Sequence, residues 1–283
     1  MSEIKEKTAH ERVLIARNAQ RPNVRDYIDA LFESFFEMKG DRLSGEDEAI
    51  LGGVALFHGQ PVTVIGTKKG KTLQENLRAN FGMPSPQGYR KAQRLMKQAE
   101  KFGRPIITLI DTSGAYPGMK AEESGQGEAI ARSLYEMSAL TVPVIAVITG
   151  EGNSGGALAL GVANRVLMLE NAVYAILSPE GFASILYKDA SRAAEAAQSM
   201  KMTAPDLYAL GVIDGIIPEP QGGAHTDANS VFAALDEALQ RELSALCRLK
   251  GKALAEDRFM KFRRMCMPKE TAEGSCFNPG KAK

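Results

Sequence analysis

Residues 150–158 read GEGNSGGAL, a serine among four glycines, directly after the apolar run VPVIAVI at 142–148. Two chemistries fit that spacing. As G-x-S-x-G after a strand, it is the pattern of a nucleophile elbow with Ser154 as the attacking group. As a glycine-rich strand-to-helix turn, it leaves the N–H groups of Gly155 and Gly156 unpaired at a helix start. Bare backbone there lets a ligand approach closely, and fixed donors suit charge that develops on an oxygen.

The serine chemistry needs a base and a group to orient it. The chain has three histidines, His10, His58 and His225. Elbow families place the histidine after the serine, which leaves His225. It lies in PQGGAHTDANS, which reads as a surface loop before a helix. His58 falls in a hairpin turn and His10 in a charged helix. The backbone reading is therefore preferred, and Ser154 is expected to cap the helix that the glycines begin.

A second glycine loop, DTSGAYPG at 111–118, also follows a strand-like run, PIITLID at 105–111. Two such loops after neighbouring strands would aim amides at one pocket, and SPEGFAS at 178–184 is a third. The bland alternative is that these glycines only permit tight turns. Glu151 and Glu180 stand beside the loops, either as acids or bases or, preferably, as helix-start carboxylates favoured by the dipole. Lys68, Lys69 and Lys71 form the densest cationic loop, followed by Arg90, Lys91, Arg94 and Lys97 on one helix. Solvated surface is the preferred reading for these cations, with phosphate contact as the alternative.

The elements that must carry these loops alternate strand and helix, which indicates an α/β fold with buried strands. Residues 1–40 read as mostly helical, with Tyr27, Ile28, Leu31, Phe32, Phe35 and Phe36 at helical spacing. That face packs on the main body or, alternatively, on another subunit. Residues 50–67 read as a hairpin turning at His58-Gly59-Gln60. A loop follows at 70–88, then helices at 89–102 and 127–140, the helix ALALGVA after Gly156, two short strands within 165–177, and a final amphipathic helix over 229–249. The last stretch, CMPKETAEGSCFNPGKAK, has little apolar periodicity and is expected to be poorly ordered.

Composition narrows the function classes. The chain has 283 residues, 44% hydrophobic and 24% charged, with a formal net charge of +1. Such a balance gives no global field for nucleic acid. Cys247, Cys266 and Cys276 show no C-x-x-C spacing, so neither a disulfide framework nor a zinc ribbon is indicated, and no metal is expected in this chain. A reduced, cytoplasmic setting fits. The charged N-terminus shows no secretory signal, and no apolar run approaches the ~20 residues of a membrane helix.

Several long motifs carry a resemblance. NFGMPSPQGYRKAQRLMKQAEKF, DTSGAYPGMKAEESGQGEAIARSL and the stretch from VPVIAVITGEGNSGGAL to SPEGFASIL resemble, in order, the carboxyltransferase α-subunit family of bacterial acetyl-CoA carboxylase. HERVLIARNAQRPNVRDYI and FFEMKGDRLSGEDEAILGGVA are similar to that family's N-terminal region. The resemblance covers about residues 10 to 250. It implies a crotonase-like (Clp/crotonase) α/β superhelix of ββα units, with an N-terminal helical segment at 1–40, the carboxyltransferase domain at 41–250 and a partly disordered extension at 251–283.

It also implies the reaction: transfer of a carboxyl group from carboxybiotin, on a biotin carboxyl carrier protein, to the CoA thioester acetyl-CoA. The product is malonyl-CoA, at the first committed step of fatty acid synthesis. The implied partners are a β subunit bearing a zinc ribbon, the carrier and biotin carboxylase, in an α2β2 arrangement within a complex that binds ATP. No nucleic acid or membrane is required. By resemblance, Gly155 and Gly156, with Gly114 and Ala115 on the facing loop, supply the backbone oxyanion hole. Gly152, Ser154, Tyr116 and Gly118 line the carboxybiotin pocket, and Lys68, Lys69 and Lys71 are candidates for CoA phosphate contacts. The released biotin can itself take the α-proton, so no side-chain base is needed. The second oxyanion hole, for the enolate, is expected from the β subunit.

The sequence departs from the family pattern at Ser113 for proline, Ser124 for arginine, Asn153 for glycine and Phe182 for cysteine, and reads KGKTLQEN where KGRDTKEN is usual. The remaining alternatives are a propionyl-CoA carboxyltransferase, a partner-independent crotonase-like hydratase, isomerase or thioester hydrolase, a Clp-like serine peptidase and a scaffold without activity.

Overall fold

The structure is a computed structural model that describes residues 7–265. Two short helices open it, α1 (Ala9–Ala16) and α2 (Val24–Leu31). Each begins with a reciprocal capping box, Thr8 with Glu11 and Asn23 with Asp26, which satisfies amides that the helix cannot. Tyr27 and Ile28 are fully buried, and the Tyr27 ring meets Phe232 edge-on at 5.2 Å.

The helical reading of residues 1–40 fails beyond α2. Phe32 turns extended (φ −125, ψ 140), and Glu33–Glu37 forms strand β1 at the sheet edge. There β1 pairs antiparallel with β2 (Ile50–Phe57), and Phe36 is exposed. Aromatic residues suit a strand as well as a helix, so their spacing alone did not decide.

Strands β2 and β3 (Gln60–Thr67) form the expected hairpin. Its turn takes positive φ at both His58 (47) and Gly59 (74), the twist that a two-residue hairpin favours. Then follow α3 (Leu73–Arg78), inside the stretch expected as loop, and α4 (Pro86–Lys101). The chain continues through β4 (Ile106–Thr112), α5 (Met119–Glu123), α6 (Gln126–Ala139), β5 (Val144–Asn153) and α7 (Ser154–Gly161). Next come β6 (Arg165–Leu169), β7 (Val173–Ala175), α8 (Pro179–Leu186), α9 (Ala193–Met200), α10 (Ala204–Ala209) and β8 (Gly215–Ile217). Helices α11 (Ala228–Leu246) and α12 (Lys252–Arg264) complete the described chain.

The sheet runs β1-β2-β3-β4-β5-β6-β8, antiparallel over its first three strands and parallel from β3 onward. All ten residues of β5 are buried, as a strand covered on both faces requires. Between Ile110↔Ile148 and Thr112↔Gly152 the register slips, so β5 carries two extra residues opposite β4. On its other edge β5 pairs with β6 over 145–148 and then with β7 through Glu151, Gly152 and Asn153. Bulges re-aim a strand end, and this one points it into α7.

Helix α12 lies within the segment expected as a C-terminal extension. Its Leu254 and Arg258 are buried. The Arg258 guanidinium donates to the carbonyls of Met137 and Leu140 (2.8 Å each) and to Asn164 Oδ1 (2.7 Å), and so caps the end of α6. Burial lowers its pKa to about 10. The stretch expected to be poorly ordered, from Cys266 onward, lies outside the described residues.

Candidate active site at the ends of β4 and β5

The two glycine loops meet. A Cβ added to Gly156 would lie 2.4 Å from the Ala115 nitrogen and 2.4 Å from the Gly114 carbonyl carbon. The first turn of α7 therefore sits directly on the Gly114–Ala115 peptide, and only glycine permits that approach. Gly155 and Gly156 lie where an α-helix has no carbonyl to accept their amides.

On the facing loop, Gly114 has φ +143, and its N–H is already bonded to Thr112 Oγ1 at 3.1 Å. Gly114 thus supplies conformation, and Ala115 presents the amide beside Gly156. The Tyr116 amide goes to Pro84 O at 3.0 Å. Its ring packs on Gly118, whose added Cβ would fall 2.3 Å from Tyr116 Cε1. Gly152 is enclosed by Ile148 and Tyr174. Gln126, which sequence reasoning did not single out, donates to both Pro84 O and Tyr116 O at 2.9 Å and fixes this loop.

Ser154 does not cap α7. It is the first residue of the helix, with φ +59, and Asn153 takes the cap position without a side-chain hydrogen bond. A non-glycine residue held in the left-handed region costs about 1–2 kcal/mol, the strain that an elbow stores. The Asn153 Oδ1 atom is buried without a partner. None of the histidines is bonded to Ser154. His58 Nε2 meets Asp236 at 2.9 Å, and His225 Nε2 meets Asn18 at 3.2 Å. In these positions they do not form a triad.

A cavity of about 640 Å³ opens at Ser154 and Gly155, with mostly apolar walls that include Leu158, Tyr174, Phe262 and Met265. Its α12 wall lies beyond the stretch that carried the family resemblance, and no motif announced it.

A second cavity, of about 290 Å³, begins at Asp111, Ser113 and Glu151 and is charged. Lys69 Nζ bridges Asp111 Oδ1 (2.7 Å) and Glu151 Oε2 (3.2 Å). Burial alone would lower the Lys69 pKa; the charges of Asp111 and Glu151 and their hydrogen bonds raise it instead. Arg17 Nε reaches Glu151 Oε1 at 2.8 Å, and its Nη1 reaches Glu180 Oε1 at 2.7 Å. The hydrogen bond from Arg17, more than its charge, holds Glu180 down to about 2. Glu180 opens α8 as expected, whereas Glu151 belongs to a strand and is ion-paired. Close by, Arg21 forms a buried pair with Glu219 at 2.8 Å and donates to Thr149 O, in the bulge, at 2.8 Å.

Of the cations expected together, Lys69 and Lys71 line the charged cavity and Lys68 does not. Lys71 pairs with Asp26, and Lys68 lines a separate cavity with Arg25, Lys39 and Arg78 among three glutamates. Lys91 is not on a solvated face. It is buried, bonded to Glu46 and to the carbonyls of Asp47 and Ile50. Arg90 binds Asp41 and the Ser124 carbonyl, and Arg94 binds the carbonyls of Met38, Lys39 and Gly40. These side chains fasten the 38–47 loop to α4. Of the departures, Phe182 packs edge-on to Tyr187 at 6.2 Å, and Ser113 lines the charged cavity.

Solved structures define the class first. The chain superposes on transcarboxylase 12S, crystallised with methylmalonyl-coenzyme A and methylmalonic acid, with a TM-score of 0.65 at 20% identity over 86% of this chain. It spans about half of that protein's chain, 46%. A Pseudomonas malonate decarboxylase hetero-tetramer in complex with coenzyme A gives a TM-score of 0.63 at 16% identity, over 76% of this chain and 86% of that one. The fold is that of the crotonase-like carboxyltransferases.

The particular family follows from sequence. Residues 2–266 match the acetyl co-enzyme A carboxylase carboxyltransferase-like model. The acetyl-coenzyme A carboxylase carboxyl transferase subunit alpha of Geobacillus thermodenitrificans is 60% identical over 258 residues, 91% of this chain and 79% of the relative. That of Listeria monocytogenes is 57% identical over the same length, 81% of the relative. The chain belongs to this family, and its reaction class is biotin-dependent carboxyl transfer.

Proposed function

We propose that this chain is the carboxybiotin-binding half of an acetyl-CoA carboxylase carboxyltransferase, which forms malonyl-CoA from acetyl-CoA. The observation that supports the site assignment is the close packing of Gly156 on the Gly114–Ala115 peptide, where an added Cβ would fall 2.4 Å from the Ala115 nitrogen, so that donors of two loops lie side by side. In this reading the amides of Gly155, Gly156 and Ala115 are the donors to an oxygen gaining charge, with Gly114 shaping the loop.

The residues fit the group. The apolar cavity of about 640 Å³ suits a ring and its alkyl tether, and Ser154 and Gly155, at the start of α7, stand at its lining. Bound there, carboxybiotin supplies the carboxyl group and a ureido oxygen that becomes negative as that group leaves. This chain holds charge at that oxygen through backbone N–H groups and excludes water with Leu158, Tyr174 and Phe262. Each such donor is worth about 3–4 kcal/mol of transition-state stabilisation. Ser154 acts as a strained corner, not as a nucleophile.

As an α-type subunit the chain works in a multi-subunit enzyme. The reading extends to a β subunit with a zinc ribbon that supplies the enolate hole, to a biotinylated carrier and biotin carboxylase, and to an α2β2 assembly. Among the described residues no group of three or more His, Cys, Asp or Glu side chains is placed to hold a metal, and no helix is long and apolar enough to cross a membrane. Cys247 is an exposed free thiol, in keeping with a reducing, cytoplasmic setting.

The test is reconstitution. The chain is co-purified with its partner, and carboxyl transfer from a carboxylated carrier to acetyl-CoA is followed as malonyl-CoA. Transfer that requires the partner is expected. Turnover of an acyl-CoA by the isolated chain would instead favour a hydratase, isomerase or hydrolase. Faster carboxylation of propionyl-CoA would correct the substrate.

A further inference from the structure

We infer that Lys69 is a positioning residue for this reaction: its ammonium ties the ends of β3, β4 and β5 together and so sets the spacing of the two glycine loops. The inference rests on the proposed function for its kinetic consequence and on geometry for everything else.

Lys69 stands two residues beyond the end of β3. It touches Asp111, which precedes Gly114 by three residues, and Glu151, which precedes Gly155 by four. Asp111 Oδ1 also accepts the Glu151 amide at 2.9 Å, just past the point where the β4–β5 register slips. Ladder pairing of β4 with β5 resumes only at Thr112↔Gly152, so within the slip this hydrogen bond and the ion cluster join the two strands. From Glu151 the chain of contacts runs on through Arg17 to Glu180 on α8.

The loop that follows β3 is shaped to keep Lys69 in place. Asn80, Phe81 and Gly82 take consecutive positive φ values of 46, 55 and 78. A Cβ on Gly82 would lie 2.7 Å from Lys69 Cγ and 3.3 Å from Asp111 O. Two strained non-glycine residues beside a functional loop persist only where surrounding contacts over-determine them. Asn23 secures the Lys69 carbonyl at 3.2 Å. Both carboxylates claim the Lys69 ammonium.

The charge-balanced variant Lys69→Met/Asp111→Asn tests this, because Glu151 keeps Arg17 as its partner and the new amide oxygen still accepts from the Glu151 N–H. Two readouts are taken. In the isolated chain, amide hydrogen exchange across 111–118 and 150–157 is expected to rise about tenfold or more, while the β2–β3 hairpin stays protected. In the reconstituted enzyme, kcat is expected to fall about 100-fold with KM for acetyl-CoA within about threefold, since a 1 Å misplacement costs roughly that much. Lys69→Arg, which keeps the charge, is expected to recover at least about a tenth of the wild-type kcat.

Unchanged local exchange, or a kcat within about threefold of wild type, overturns the inference. So does exchange that rises equally in the hairpin, which would mark a general loss of stability. If the double variant does not fold, Asp111→Asn, which keeps an acceptor for the Glu151 amide, is read by the same two measures. If the wild-type assembly makes no malonyl-CoA, the functional reading fails, and the exchange measurement alone decides the role of Lys69.

Discussion

Two cavities open at the ends of β4 and β5, and they differ in almost every respect. The one at Ser154 and Gly155 is large and apolar, walled by Leu158, Tyr174 and Phe262. The one at Asp111 and Glu151 is smaller and charged, and Lys69, Arg17 and Arg21 there are committed to protein acceptors. Two residues of β5, Gly152 and Asn153, separate Glu151 in one from Ser154 in the other. Charge concentrated in a cleft invites assignment as the site of chemistry. Here the paired side chains hold strands in place, and the proposed site is made of backbone.

That contrast can be broken experimentally, from the largest effect down. Arg21→Met strands Glu219, which is fully buried, and should destabilise the chain by about 3–5 kcal/mol in denaturant unfolding. Gly156→Ala drives a Cβ into the Gly114–Ala115 peptide and should cost about 10²–10³-fold in kcat, or roughly 3–4 kcal/mol, with the fold retained by circular dichroism. Phe262→Ala opens the wall of the apolar cavity and should raise KM for the carboxylated carrier several-fold, while KM for acetyl-CoA stays unchanged.

The smallest effect lies in the acid range. The hydrogen bond from Arg17 depresses Glu180 to about 2 in the folded state. Its contribution to stability is therefore full above the unfolded pKa of about 4.3 and is lost as pH falls through about 2. Glu180→Gln should lower stability slightly near neutrality and flatten the stability–pH curve in that acid window, with the slope above it unchanged. Side-chain exposure of Glu180, 43%, keeps the effect small.

Sequence reasoning read the backbone of this site better than its side chains. The glycines of 111–118 and 150–158 were legible because a bare backbone after a strand has few uses, and the structure brings both loops together. The hairpin at 50–67 and helices α4, α6 and α11 were legible from periodicity. Lys69 and Lys91 were not, because a lysine's partners lie on other strands and loops: Asp111 is 42 residues from Lys69, and Glu46 is 45 from Lys91. Phe35 and Phe36 kept helical spacing after Phe32 had already turned extended, so the edge strand β1 was hidden. The wall of the apolar cavity comes from α12, more than 100 residues after Gly155, and no local pattern could couple the two.

The central claim is that catalysis rests on the amides beside Ser154 and not on its hydroxyl. Single-turnover transfer from a carboxylated carrier to acetyl-CoA, with Ser154→Ala and Gly156→Ala assayed side by side in the assembled enzyme, tests it most directly. The account predicts that Ser154→Ala keeps the rate within about tenfold of wild type while Gly156→Ala loses about 100-fold or more. A folded Ser154→Ala enzyme that loses several orders of magnitude, beside a Gly156→Ala enzyme that stays active, would contradict it.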